Sequence, residues 1–241
     1  MTRGDAIPLD LSRFTSPEEG LRIVAEARRE LLAAASATKP TEDRDFLLRE
    51  LGLGTVIAAA IALHDGAVRE AVDANPHACL TLIRGLVEVF AVANYLQHDP
   101  DYLESILVDP AKNSTGARKT KKMQALIDVA VRDGHRGLGY VYAQLCDVAH
   151  FGRGAMGIPL RSYEEDGEPG VTLNILPHWS SELHALNALA MIEEHTLAVA
   201  ALLRQYHNDH VAPLIADPAA AASAAQVLGT TRPLSRPKAS T

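Results

Sequence analysis

Apolar residues recur every three to four positions along most of the chain, and the breaks in that rhythm fall at proline, glycine and acid-rich turns. This is the pattern of a succession of helices. Ser16-Pro17-Glu18-Glu19 opens the first helix with a side-chain cap, a proline at the first helical position and acids at the positive end of the helix dipole. The pattern then runs to about Ser36. Lys39-Pro40 breaks it, Thr41-Glu42-Asp43 restarts it, and a second apolar pattern extends to about Asp73 past two helix-weakening glycines, Gly52 and Gly54. Asn75-Pro76 begins a third helix that reaches His98 and stops at Asp99-Pro100. There follow a short helical segment around Tyr102 to Val108, a polar loop from Asp109 to Gly116, a helix from about Ala117 to Val131, and a helical period from Gly139 to His150 closed by Gly152 and Gly154.

The rhythm changes once. Ile158 to Tyr163 and Val171 to Leu176 lean towards strand and flank Asp166-Gly167, which predicts a β-hairpin near residues 157–177. Ser180 or Ser181 then caps a long helix to about Asn208. The expected fold class is all-α: an antiparallel bundle of about six to seven helices with a small hairpin insertion. A single domain spans 1–210, and an Ala- and Pro-rich tail over 211–241 is expected to be mostly disordered.

The third helix is apolar in nearly every direction of a 3.6-residue period, which marks it as central, yet Arg84 and Glu88 stand one turn apart on it. Desolvating both ions is costly unless they are paired and hydrogen-bonded, so the pair predicts a buried polar pocket. Arg before Glu is the weaker order for a local helix pair, and local helix stability accounts for it poorly. His77, Thr81, Arg84, Glu88, Tyr95 and His98 together trace one stripe, which a water-facing side of the helix would also produce. Tyr142, Cys146 and His150 form a second face, with the imidazole near a helix end where the dipole favours its protonated form. The plain reading of these three is two core residues and a histidine satisfying a terminal carbonyl.

Arg84-x-x-x-Glu88 followed by Tyr142-x-x-Leu145-Cys146-x-x-x-His150 resembles the motifs Arg-x-x-x-Glu and Tyr-x-x-Leu-Ser-x-x-x-His of a family of bacterial helical proteins with no settled activity. The resemblance covers roughly residues 45 to 205. It implies a site and no particular reaction. Cys146 stands where the family usually has serine, so any role of a hydroxyl there is in doubt.

Composition narrows the classes. A net charge of -7 argues against a dedicated non-specific DNA binder. The two cysteines, Cys79 and Cys146, sit within apolar helical patterns and read as reduced core thiols. Met1 to Ala6 lacks the apolar run of a signal peptide, and the longest uncharged apolar run, Thr55 to Leu63, is too short to span a bilayer, so a soluble cytoplasmic protein without membrane partners is expected. A basic cluster, Lys112, Arg118, Lys119, Lys121 and Lys122, reads either as a solvated helix face or as a phosphate or nucleic-acid contact.

Other motifs fail. Gly116-Ala-Arg-Lys119-Thr120 lacks the Gly-Lys pair and preceding strand of a phosphate-binding loop, and Gly134, Gly137 and Gly139 lack the strand of a dinucleotide fingerprint. No group of His, Asp and Glu has metal-ligand spacing, so neither a metal nor another cofactor is expected. Arg204 and His210 have the spacing used by one class of helical nucleases, but roughly two such matches arise by chance in a chain of this composition.

These readings favour a helical ligand-binding or protein-interaction module. Arg84 would hold an anionic group, Glu88 would fix the guanidinium, and Tyr142, Cys146 and His150 would complete the wall. The partner would be an anionic small molecule or RNA. The first alternative is a metal-independent ribonuclease or related phosphodiester enzyme, of a toxin or phage-defence kind, with Arg84, Glu88 and His150 as the catalytic set. The second is a structural bundle that forms a homodimer around a buried Arg84–Glu88 bridge.

Overall fold

The computed structural model describes residues 9–38, 47–103, 122–150, 160–165, 168–173 and 178–217. The helix restart at Thr41 to Asp43, the loop 109–116, Lys112, Arg118, Lys119 and Lys121, the glycines at 152 and 154, and the tail from 218 onward lie outside them. Among the described residues six helices make the bundle: α1 (Pro17–Ala37), α2 (Leu48–Val72), α3 (Pro76–Leu96), α4 (Met123–Arg132), α5 (Leu138–Ala149) and α6 (Glu182–Tyr206). A π-helical turn, His207–Val211, joins α6 to the short α7 (Ala212–Ala216). The architecture is all-α. Between α5 and α6 the backbone of β1 (Leu160–Glu165) pairs antiparallel with β2 (Glu168–Leu173), Arg161 opposite Thr172 and Tyr163 opposite Gly170.

The helix starts follow from local chemistry. The Ser16 hydroxyl accepts the Glu19 N–H, the Asn75 side-chain oxygen accepts that of Ala78, and the Ser181 hydroxyl accepts that of His184, so three helices begin with an otherwise unpaired N–H satisfied. At α2 the Glu50 carboxylate accepts the Leu47 N–H at 2.9 Å. The turn from α2 to α3 passes through Ala74 at φ 53°, a left-handed conformation that alanine adopts at a cost.

α3 is the hub, packed against α2, α4, α5 and α6. It runs antiparallel to α2, because Leu82 meets Gly66 and Gly85 meets Leu63. It also runs antiparallel to α5, because Arg84 meets His150 and Glu88 meets Tyr142. α1 and α6 run in the same direction: Gly20 lies against Leu189, and Glu30 reaches Arg204. The core where these helices meet holds Leu31, Leu53, Ile83, Leu86, Leu96, Ile127, Ile192 and Leu203, all fully shielded from solvent.

Ion pairs tie charged side chains into this frame. Arg28 on α1 makes a two-pronged pair with Asp65 on α2 at 2.6 and 2.8 Å, which holds the carboxyl below its ordinary range, and buried Arg49 joins Asp101 and the His210 carbonyl. The expectation that no segment is long enough to span a bilayer counted only uncharged runs. By length and composition three helical stretches would suffice: Leu48–Val72, Pro76–Leu96 and Glu182–Ala216, with mean hydropathy of 1.6, 1.5 and 1.3. About half of the latter two stretches, and less of the first, is buried within the bundle.

Candidate functional site

Asn75 and Pro76 fix where α3 starts, which sets the direction in which every later turn points. Cys79, Ile83, Leu86, Val87 and Phe90 then face the core, and the adjoining stripe carries Arg84 and Glu88 towards α5. On α5, Leu138, Tyr142, Leu145 and Val148 are buried, so Tyr142 looks back at α3. His150 caps α5, its N–H donating to the Cys146 carbonyl at 3.0 Å.

The two faces meet. The Glu88 Oε1 accepts from Arg84 Nε at 3.0 Å and Arg84 Nη2 at 2.8 Å, and the Tyr142 hydroxyl donates to the same oxygen at 3.1 Å. The third arm of the guanidinium, Nη1, lies 3.3 Å from His150 Nε2, and its central carbon sits 5.8 Å from the Tyr142 ring centroid. A guanidinium can only donate, so a hydrogen bond here requires the His150 Nε2 to accept, which the tautomer carrying its proton on Nδ1 provides. Burial is the largest single influence on the Arg84 pKa and lowers it, but the charge and hydrogen bonding of Glu88, with smaller contributions from Cys146 and Tyr142, together outweigh it and the net shift is upward. Burial, together with hydrogen bonding to Cys146 and the nearby Glu88 charge, pushes the Tyr142 phenol up to about 12.

One expectation needs correction. The pair is not shut away from water: the Arg84 and Glu88 side chains are 23% and 27% exposed, and His150 is exposed. The cause is where α5 stops. It ends at Ala149, so the guanidinium and imidazole sit at its end rather than beneath it. The stripe also divides. Tyr95 is buried edge-on against Tyr102, and His98 pairs instead with Asp133, which also accepts from Asn94 at 2.6 Å. The Thr81 hydroxyl donates to the His77 carbonyl. Of the basic cluster, only Lys122 is described, and it is exposed just before α4.

Several features were not foreseen. His64 on α2 reaches the Thr196 hydroxyl on α6 at 2.9 Å in the core, a pairing 132 residues apart that no local pattern signals. His195 is buried, its Nε2 has no hydrogen-bond partner, and burial drops its pKa to about 4. It borders a cavity of about 180 Å³ with Glu194 and His135. Among the described residues no three His, Cys, Asp or Glu are grouped to hold a metal ion. Comparison of the chain with family models, curated proteins and solved structures gives no match.

Proposed function

We propose that this chain is a helical binding module whose Arg84–Glu88–Tyr142–His150 cluster takes an anionic group, carried by a small molecule or by RNA. The observation that supports it most is the 3.3 Å approach of the Arg84 Nη1 to the His150 Nε2. Glu88 and Tyr142 hold the guanidinium in one orientation, and the imidazole adds a group that accepts when neutral and donates when protonated. An arriving phosphate or carboxylate would then receive charge-assisted hydrogen bonds from both groups. The partly exposed edge at the end of α5 leaves a path for it. In this reading β1 and β2 are an insertion between α5 and α6, and the chain stands beside the bacterial helical family whose motifs it resembles. The bundle works in the cytoplasm, alone or as a homodimer; recovery of the protein in washed membranes would overturn that placement.

Titration with inorganic phosphate and with a short RNA, read as a rise in melting temperature, tests the reading. A saturable rise that Arg84→Ala and His150→Ala each abolish is expected. No rise with either probe, together with a loss of parent stability in Arg84→Ala, would leave a structural bridge as the better account.

A phosphodiesterase is the second reading, favoured because a proton carrier and a charge stabiliser from different helices meet at one point. Incubation with mixed RNA decides it. Cleavage should vanish in His150→Ala, and an inert parent under every metal condition would sink the idea.

A further inference from the structure

A groove of about 520 Å³ lies where the start of α1, the end of α2 and the start of α6 converge, walled by Leu21, Val72, Trp179, Ala185 and Leu189. That volume sits in the range of small-molecule sites, roughly 300–1,000 Å³. It shares no residue with the Arg84 cluster. Val72 on its wall is 59% exposed, and Leu183, next to the lining residue Glu182, is 55% exposed; both are among the few large apolar side chains that the described residues leave to solvent.

Trp179 is the only tryptophan of the chain. Its Nε1 donates to the Ala71 carbonyl at 3.0 Å, so the polar edge of the indole is already committed and the π surface is what it has to offer an occupant. Glu182 is the one ionisable side chain that lines the groove among the described residues, and no Lys, Arg or His does. Asp73 follows the lining residue Val72 at the end of α2, where the helix dipole also presents its negative pole. The α6 N-terminus acts in the opposite sense, but its first turn carries Glu182, and the Ser181 hydroxyl already accepts the His184 N–H.

We propose that this groove binds a small amphipathic cation, its apolar or aromatic body against Leu21, Ala185 and Leu189 and its amine or quaternary ammonium between the Trp179 ring and Glu182. An apolar wall accounts for the body. The absence of any cationic lining residue and the presence of one carboxylate select the sign of the head.

The single tryptophan makes the test direct. Emission of the full chain is followed during titration with octyltrimethylammonium, octanol and octanoate, each kept below its micelle concentration. A saturable change is expected, with the ammonium at least about fivefold tighter than the alcohol and the carboxylate weakest. Glu182→Gln should bring the ammonium to the affinity of the alcohol, and Ala185→Phe, which fills the groove, should abolish every response. The proposal is overturned by no saturable change with the ammonium, by octanoate binding as tightly, or by an unaltered preference in Glu182→Gln.

Discussion

Tyr142 shows how much a single hydroxyl contributes when it closes a polar cluster. Its proton goes to a Glu88 oxygen that Arg84 already holds, and the ring lies beneath the guanidinium. Tyr142→Phe should therefore cost about 0.5–1.5 kcal/mol in urea unfolding, the usual worth of one such bond. The phenol also leaves a pH signature. Its pKa in the fold is about 12, above the ordinary value, so the folded state keeps a proton that the unfolded chain releases. Its contribution is complete below the ordinary value near 10 and is lost as pH climbs towards 12. In a spectrophotometric titration Tyr142→Phe should remove phenol absorbance change from that upper window. Arg84, Glu88, Tyr142 and His150 were legible as candidates because helical spacing puts each pair on one face. Their degree of burial was not, because it depends on where α5 ends against α3, and no periodicity in either helix encodes that.

Helices α1, α3 and α6 were legible because Ser16, Asn75 and Ser181 mark their starts ahead of apolar patterns, whereas α2, which begins at Leu48 without a side-chain cap from Leu47, was legible only by its apolar run. The glycines of α2 show where reading by residue type stops. Gly52 and Gly54 look alike in the sequence, and both were expected to loosen the helix, yet α2 passes through them unbroken. Their surroundings differ sharply. A Cβ on Gly52 would come within 2.7 Å of the Leu103 Cβ, a group close to the backbone that cannot swing aside, whereas one on Gly54 would meet nothing within 4 Å. Gly54→Ala should then stabilise by about 0.5–1 kcal/mol through helix propensity alone. Gly52→Ala should destabilise by about 1–3 kcal/mol as the packing is forced apart. Urea midpoints of the two variants, measured side by side, check the contrast.

At the scale of the whole molecule, buried histidines set the response to acid. His195, with its pKa near 4, and His64, also lowered by burial, are held neutral in the fold but take up protons when unfolded. Their contribution is complete above the ordinary value near 6.5 and is lost as pH falls towards 4, so stability should drop across that interval. Glu194 opposes them: burial raises its pKa, and the stability it supplies is complete below its ordinary value and fades as pH rises through the folded one. His195→Leu should flatten the acid slope by at most about 3 kcal/mol between pH 7 and 4. It should change stability little at neutral pH, because the Nε2 it removes has no partner there; urea unfolding at a series of pH values reads both. The pairing of α1 with α6 bears on how the chain is made. These two helices lie side by side although they are far apart in sequence, with Glu30 and Arg204 joined across 174 positions, and α6 also covers α2 and α3. A ribosome delivers α6 after the other five bundle helices, so until residue 206 has emerged the apolar sides of three earlier helices wait in water without their cover. Synthesis of this protein thus has a vulnerable interval, closed only when α6 arrives, and chaperone demand should concentrate there.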